Sequence, residues 1–282
     1  MNCITLKDVS YKYPYTEDFV LANINYQFEK GKFYGIIGPN GSGKTTFCNL
    51  LRGMIPHFFH GDLSGDVLIE GQDVRDWNSD LLSTKIGYIF QNPFTQISGI
   101  KETVFEEIAL GLENLGVEKE ELIERVVEVV KLLKLEKLIK KNPNNLSGGQ
   151  KQRVAFASII AMNSDILVID EPTSQLDPES TDEIFKIINL LKEQGKTIFL
   201  VEHKIDLIAE YADEVIVLNQ GQIARSGLTA DVLSDLSLLQ MGVTLPQATL
   251  LSYDLQKIDK AIDTISITKS QVKDQIMKRV GV

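Results

Sequence analysis

Gly38-Pro-Asn-Gly-Ser-Gly-Lys-Thr45, near the start of a chain of 282 residues, fits the pattern G-x-x-x-x-G-K-[S/T] without a mismatch. It follows the apolar run Gly35-Ile-Ile37 and precedes a helical pattern. That strand–loop–helix order is the context in which this motif binds a polyphosphate. Its glycines allow the backbone to wrap closely around phosphate and to turn successive N–H groups toward it. The segment therefore predicts a phosphate-binding loop, or P-loop.

The chemistry of the P-loop is divided between backbone and side chains. The helix predicted to start near Lys44 directs the positive end of its dipole at the same anion. Lys44 is predicted to reach the β- and γ-phosphates, and the Thr45 hydroxyl to ligate Mg²⁺. The predicted ligands are a nucleoside triphosphate and Mg²⁺. The residues of this loop predicted to contact them are Gly38, Asn40, Gly41, Ser42, Gly43, Lys44, Thr45 and Thr46.

Two adjacent carboxylates end a second apolar run, Ile166-Leu-Val-Ile-Asp170-Glu171. The carboxyl edge of a parallel sheet faces the ligand crevice, so Asp170 is predicted to hold the Mg²⁺ shell. Successive strand residues point to opposite sides, so Glu171 is placed differently and is predicted to activate the attacking water.

Short apolar runs alternate with longer helical patterns along the chain, which predicts an α/β fold with a parallel sheet. The early strands are joined by turn-like segments, so we expect an antiparallel sheet beside the parallel core. The predicted strands are Ile4–Val9, Val20–Phe28, Phe33–Gly38, Val67–Ile69, Lys85–Phe90, Asp165–Asp170, Lys196–Val201 and Glu214–Leu218.

The pattern divides the chain into a nucleotide-binding domain, 1–227, and a C-terminal extension, 228–282. Within the first, residues 92–162 are predicted to form a helical subdomain, because Leu122, Val126, Val129 and Leu133 recur at helical spacing. A further helix is predicted to begin at Pro178 and to bury Ile184, Ile187, Ile188 and Leu191. The extension is predicted to hold one helix near 230–240, followed by a polar tail.

The segment Leu146-Ser-Gly-Gly-Gln150 followed by Lys151-Gln-Arg-Val resembles the signature motif of ATP-binding cassette (ABC) proteins. Ser147, Gly148 and Gly149 open a predicted helix, which makes a second anion-binding helix start. The resemblance implies a P-loop NTPase (RecA-like) core with an antiparallel β-subdomain and an inserted helical subdomain. It also implies a head-to-tail dimer. Each ATP is then held between one subunit's P-loop and the other's residues Ser147, Gly148, Gly149 and Gln150.

Other positions match this family in order. Tyr13 lies where these proteins stack an aromatic ring on adenine, with Tyr11 as the competing choice. Gln91 is similar to the glutamine that senses Mg²⁺ and the attacking water, and His203 to the histidine that contacts the γ-phosphate. Ser174-Gln-Leu-Asp177 resembles the loop that joins the two ATP sites, although the family commonly has alanine where Gln175 stands.

A narrower resemblance is to the ATPases of energy-coupling-factor (ECF) importers of vitamins and metal ions. It rests on Gln91-Asn-Pro-Phe94 and on Glu102-Thr-Val-Phe-Glu-Glu-Ile-Ala-Leu-Gly-Leu-Glu-Asn-Leu-Gly116. The segment 55–65 is similar to forms linked with uptake of thiamin precursors. The chain departs from the group at Phe94-Thr95-Gln96, where many members carry D-D-Q.

The ECF resemblance implies three partner subunits. A second ABC ATPase subunit completes the dimer, either a copy of this chain or a paralogue. An integral membrane transport subunit and a substrate-binding membrane subunit complete the importer. The C-terminal extension is expected to help hold the ATPase dimer.

Composition restricts where the protein acts. A net charge of -10 disfavours a nucleic-acid partner. The N-terminus lacks a signal-peptide pattern, and no segment approaches the apolar run of about 20 residues that spans a bilayer. Two cysteines indicate no disulfide framework. We therefore expect a peripheral protein on the cytoplasmic face of the cell membrane.

Two other functional classes are compatible with a single cassette. One is a soluble ABC ATPase without a membrane partner, for example in iron–sulfur assembly. The segment between Thr45 and Leu146 is too short for the coiled coils of DNA-repair relatives, and translation-factor relatives carry two cassettes. The other class, a nucleotide-binding regulator without turnover, would require a damaged site, whereas every catalytic position is intact.

Overall fold

The computed structural model describes residues 1–174, 176–259 and 264–280. Gln175, in the predicted loop between the two ATP sites, lies outside the described residues, and so does the side chain of Phe94.

Ten strands form two sheets in the described part of the chain. The four-stranded sheet has the order β2-β1-β4-β5 and the six-stranded sheet the order β10-β9-β3-β8-β7-β6. The strands are β1 (Asn2–Lys12), β2 (Leu21–Glu29), β3 (Phe33–Ile37), β4 (Asp62–Ile69), β5 (Gln72–Asp73), β6 (Ile86–Ile89), β7 (Ile166–Asp170), β8 (Thr197–Val201), β9 (Glu214–Asn219) and β10 (Gln222–Leu228).

The predicted architecture is confirmed. Strands β9, β3, β8, β7 and β6 are parallel, whereas the smaller sheet is antiparallel throughout. All eight predicted strands are present, with shifted ends. Two further strands, β5 and β10, were missed. β10 is an edge strand antiparallel to β9, and its exposed, weakly alternating sequence carries little pattern.

Twelve α-helices, some of a single turn, are present in the described residues. They are α1 (Lys44–Leu51), α2 (Met54–His57), α3 (Ser79–Lys85), α4 (Pro93–Gln96), α5 (Val104–Asn114), α6 (Lys119–Leu132), α7 (Gly148–Ala161), α8 (Pro178–Glu193), α9 (Ile205–Tyr211), α10 (Thr229–Leu233), α11 (Gln247–Ile258) and α12 (Lys269–Val280). Three short 3₁₀ helices cover Val74–Asp76, Pro143–Asn145 and Leu236–Met241. The predicted helical segment 92–162 thus contains α4 to α7, and α8 begins at Pro178 as predicted.

The parallel sheet separates two hydrophobic clusters. On β7, Leu167 and Ile169 face the cluster formed with the helices α5 to α9. Ile166 and Val168 face the cluster formed with α1 and the antiparallel sheet. Burial on both faces explains why the central strands read as continuous apolar runs. It also determines to which side of the sheet each side chain at the end of β7 points.

The C-terminal part differs from its prediction. The helix expected near 230–240 is split, because the Asp235 carboxylate accepts the Ser237 N–H and starts a new 3₁₀ turn after α10. The predicted polar tail contains two helices that were not predicted, α11 and α12. The buried residues of this part that join the main helical cluster are Val232, Leu233, Leu238, Val243, Leu245 and Ile267.

Candidate ATP site

The P-loop has backbone conformations that require glycine. Gly38, Gly41 and Gly43 have φ angles of 154°, 77° and 99°. A Cβ atom on Gly38 would lie 2.2 Å from the carbonyl oxygen of Leu218, so no other residue fits there without moving β9. The sequence-predicted loop therefore forms between β3 and α1, as expected.

Lys44 lies over this loop and is buried, with 8% of its surface exposed. Its Nζ donates to the carbonyl oxygens of Gly38, at 2.9 Å, and Pro39, at 3.1 Å. Burial lowers the pKa of the Lys44 ammonium from its ordinary value, and the nearby carboxylates of Glu171 and Asp170 oppose that shift. An anion such as a polyphosphate would compensate this buried charge.

The residues around the loop fit a nucleotide phosphate. A cavity of about 270 Å³ is lined by Asn40, Gly41, Gly43 to Thr46, Val20 and Glu171. Beside it, the buried Ser42 hydroxyl has no hydrogen-bond partner among the described residues. Thr45 presents an exposed hydroxyl at the start of α1. These groups offer donors to phosphate and one oxygen ligand to Mg²⁺.

Asp170 ends β7 and is 7% exposed. The Tyr88 hydroxyl donates to its Oδ2 at 3.2 Å, and the Arg52 guanidinium stacks over the Tyr88 ring at 3.6 Å from the centroid. Burial raises the pKa of the Asp170 carboxyl. The described residues contain no group of three or more His, Cys, Asp or Glu that would hold a metal. A Mg²⁺ ion held by Thr45, Gln91 and Asp170 would therefore take further ligands from phosphate and water.

The Glu171 carboxylate contacts two other residues that were predicted for the site. Gln91 Nε2 donates to Glu171 Oε2 at 2.6 Å, and His203 Nε2 lies 2.8 Å from Glu171 Oε1. The φ of Glu171 is 44°, an unusual value for a residue other than glycine, and its N–H donates to the carbonyl of Val201. The backbone thus turns at this residue and presents the carboxylate to the loops that follow β6 and β8.

The segment after Gln91 is anchored by polar contacts that the sequence did not predict. The Gln96 amide donates to the carbonyl of Tyr88 and accepts the N–H of Phe90. The buried Glu107 carboxylate on α5 accepts the N–H and the hydroxyl of Ser98, each at 2.7 Å. Residues of the motif that suggested the ECF resemblance therefore also hold the chain in place between Gln91 and α5.

Tyr13 and not Tyr11 adjoins the P-loop. Tyr11 is fully buried, and its hydroxyl donates to the carbonyls of Phe59 and His60. Tyr13 is half-buried, and its hydroxyl shares a 3.1 Å hydrogen bond with the hydroxyl of Thr46. A ring in the position of Tyr11 has no face free to stack on a base, so the competing choice is excluded.

The signature segment forms a capped helix start, as expected. The Ser147 hydroxyl accepts the Gln150 N–H, and the Gln150 side chain accepts the Ser147 N–H. A Cβ on Gly149 would lie 2.8 Å from the Ser180 hydroxyl of the same chain. None of the signature residues is among the described residues that line the phosphate cavity. The structure therefore does not bring Ser147 to Gln150 together with the P-loop.

The fold and this arrangement define a class, the P-loop ATPases of the ABC type. A model of the family described as "ABC transporter" matches residues 21–174, more than half of the chain. The chain belongs to this family, and it is an ATP-binding ABC ATPase.

Relatives and solved structures agree with this assignment. A protein of Pyrococcus horikoshii provisionally named an ABC transporter ATP-binding protein is 44% identical over 94% of each chain. The energy-coupling factor transporter ATP-binding protein EcfA of Methanococcus maripaludis is 36% identical over 98% of each chain. The structure of cbiO1 from Clostridium perfringens, part of the ABC transporter complex cbiONQ, has a TM-score of 0.74 and 29% identity, and the match covers 85% of this chain and 93% of that one. A dimeric cassette bound to ADP and Pi has a TM-score of 0.69 and 31% identity, covering 80% and 98% of the two chains.

Among the helices in the described part of the chain, none combines the length and the apolar character that a bilayer crossing requires.

Proposed function

We propose that this chain is the ATP-hydrolysing subunit of an ECF-type importer for vitamins or metal ions, driven by closure and reopening of an ATPase dimer. The observation that carries the proposal is the Glu171 carboxylate, held between Gln91 and His203 beside the P-loop cavity. The relatives named as ECF transporter ATPases support the transport role.

The chemistry follows from the positions of these side chains. Glu171 accepts a proton from the attacking water while the water oxygen forms a bond to the γ-phosphorus. The bond between the γ-phosphorus and the bridging oxygen of the β-phosphate breaks, which gives ADP and phosphate. His203 donates to a γ-phosphate oxygen, and Lys44 offsets the charge that develops on the phosphates. Gln91 orients the water against Glu171. Thr45, Asp170 and Gln91 would hold a Mg²⁺ ion, which would neutralise charge on the phosphates.

Dimer closure accounts for the separated signature segment. Ser147 and Gly148 at the start of α7 offer N–H groups and the positive end of a helix dipole to an anion. Because they do not line their own chain's phosphate cavity, a second subunit would supply them. ATP would then join two subunits, and loss of the γ-phosphate would release them. The dimeric solved cassette with ADP and Pi is consistent with this arrangement.

The segment between Gln91 and α5 would transmit the movements of ATP binding and hydrolysis to the membrane partners. The Ser98–Glu107 contact ties this segment to the helical region, so a shift of Gln91 at the ATP site would be transmitted to the surface. An integral transport subunit docking there, with a substrate-binding membrane subunit, would place the chain on the cytoplasmic face of the membrane.

Purification of the tagged chain from membranes of its own host in detergent tests the transport role. The expected result is co-purification of two integral membrane proteins together with a second cassette, which is this chain or a paralogue. ATPase activity should then rise when the complex is reconstituted into vesicles with the transported substrate. Recovery with soluble partners alone would contradict the importer and favour a soluble ABC ATPase.

A further inference from the structure

We propose that Glu202 is a positioning residue for ATP hydrolysis, which fixes His203 and the Glu171–His203 pair. The inference rests on the ATPase function proposed above. Glu202 directly follows β8, and only 4% of its surface is exposed. A carboxylate buried this far must be hydrogen-bonded to be tolerated.

Among the described residues, the donors to Glu202 belong to the two loops of the active site. Its Oε1 accepts the backbone N–H of His203 at 2.8 Å and that of Lys204 at 3.2 Å. Its Oε2 accepts the Thr173 hydroxyl at 2.6 Å. Thr173 lies two residues after Glu171, on the loop that follows β7. One side chain therefore connects the loop that carries the base to the loop that carries the histidine.

Lys204 strengthens the same connection. Its ammonium donates to the carbonyl of Thr173 at 3.3 Å and to the hydroxyl of Thr181 at 2.9 Å. The loop after β8 is thus held against the loop after β7 at its first and third positions, Glu202 and Lys204. The 2.8 Å contact between His203 Nε2 and Glu171 Oε1 spans these same two loops.

His203 needs such support because its ring is not fixed by packing. Its side chain is 51% exposed, while that of Glu171 is only 17% exposed. A half-exposed ring is oriented mainly by its backbone and by the Glu171 contact. Glu202 also lines, with His203, a cavity of about 390 Å³ beside Pro39 and Asn40 of the P-loop. A backbone shift here would move the ring away from the γ-phosphate position.

Steady-state ATPase kinetics of two variants test this role. Glu202→Ala leaves three donors unpaired, so we expect kcat to fall by about ten- to a hundredfold. The KM for ATP should change by less than about threefold, because the P-loop is untouched. Glu202→Gln should keep most of kcat, because its amide oxygen accepts both backbone N–H groups and its NH₂ donates to the Thr173 oxygen.

Histidine NMR separates positioning from general structural damage. The chain has 3 histidines, so selective ¹⁵N labelling gives resolved ring signals. In Glu202→Ala the His203 signals should shift, whereas those of His57 and His60 should not. Thr173→Val removes one of the three bonds and provides a milder variant if Glu202→Ala does not fold.

Three results would overturn the role of Glu202. They are an unchanged kcat in both Glu202→Ala and Thr173→Val, a Glu202→Gln variant as slow as Glu202→Ala, or an unchanged His203 spectrum in Glu202→Ala. Failure of the wild-type chain to hydrolyse ATP would instead contradict the proposed function. The two failures are therefore distinguishable.

Discussion

The two halves of the proposed ATP site differ in how completely one chain builds them. Around the P-loop, buried Lys44 and the Glu171 carboxylate line one cavity, and buried Asp170 directly precedes Glu171 at the end of β7. At the signature segment, Ser147 and Gln150 satisfy each other in a capping box on the surface. The first half gathers charges that need a ligand, whereas the second is a helix start that is stable without one.

This difference indicates which step each half controls. Buried, partly compensated charge favours binding of an anionic nucleotide by the isolated chain. In the proposed dimer, a self-capped helix start adds its dipole only when a second subunit brings it to the phosphates. The proposal therefore assigns nucleotide binding to the P-loop half, and assigns closure and hydrolysis to the contact between the two halves.

Loss of the base in the P-loop half should have the largest effect. In Glu171→Gln the hydrogen-bonded geometry is kept but the proton acceptor is lost, so we expect kcat to fall by about 10²- to 10⁴-fold. ATP binding should persist. Phosphate release assays measure kcat and nucleotide titration measures ATP affinity, with a substitution of the exposed Glu210, Glu210→Gln, as a matched control. Turnover near that of the wild type would show that another residue is the base.

Tyr88→Phe tests whether Asp170 depends on its hydrogen-bonded neighbour. Loss of the hydroxyl that donates to Asp170 should raise the Mg²⁺ concentration needed for half-maximal ATP affinity by about ten- to a hundredfold. The measurement is an ATP titration at several Mg²⁺ concentrations. An unchanged Mg²⁺ requirement, in a variant that unfolds at the wild-type temperature, would remove Tyr88 from the site.

Tyr13→Ala should weaken ATP binding by about 1–3 kcal/mol if the ring stacks on adenine. Tyr13→Phe keeps the ring and loses only the bond to Thr46, so it should bind nearly as the wild type does. Titration of both variants with ATP and with GTP measures how much affinity for each nucleotide is lost. Equal loss in both variants would assign the role of Tyr13 to the hydroxyl and not to stacking.

Ser147→Ala should have the smallest effect on the isolated chain. Loss of the cap should lower the free energy of unfolding by about 0.5–2 kcal/mol. ATP affinity of the monomer should not change, because Ser147 does not line the P-loop cavity. Denaturant unfolding and nucleotide titration give the two values, and Asp177→Ala, which removes the cap of α8, is the matched control. A weakened monomer affinity would place the signature in the same-chain site.

Much of this site was predictable because its chemistry is local in sequence. The P-loop, the Asp170-Glu171 pair and the Ser147 helix start each combine a short motif with its own strand or helix. Interactions between distant segments were not predictable. The Tyr88–Asp170 and Thr173–Glu202 hydrogen bonds join segments that are far apart in the sequence. In a sequence, a tyrosine or glutamate in or next to a strand usually indicates a packed or a solvent-exposed side chain.

The fold shows the same limit. Central strands were recognised because burial on both faces gives long apolar runs, whereas the edge strand β10 has no such pattern. The end of α10 depends on the cap at Asp235, a local signal that the apolar periodicity concealed. Helices α11 and α12 are short and polar on much of their surface, so periodicity alone did not indicate them.

The mass of Glu171→Gln with and without ATP and Mg²⁺, measured by sedimentation, tests most directly whether two subunits enclose the nucleotide. We expect ATP to convert the variant to a species of twice the mass, alone or with its paralogue, and addition of Lys44→Ala to the same chain to abolish the conversion. A variant that binds ATP yet keeps the mass of a single cassette, both alone and with its co-purified partners, would contradict the account.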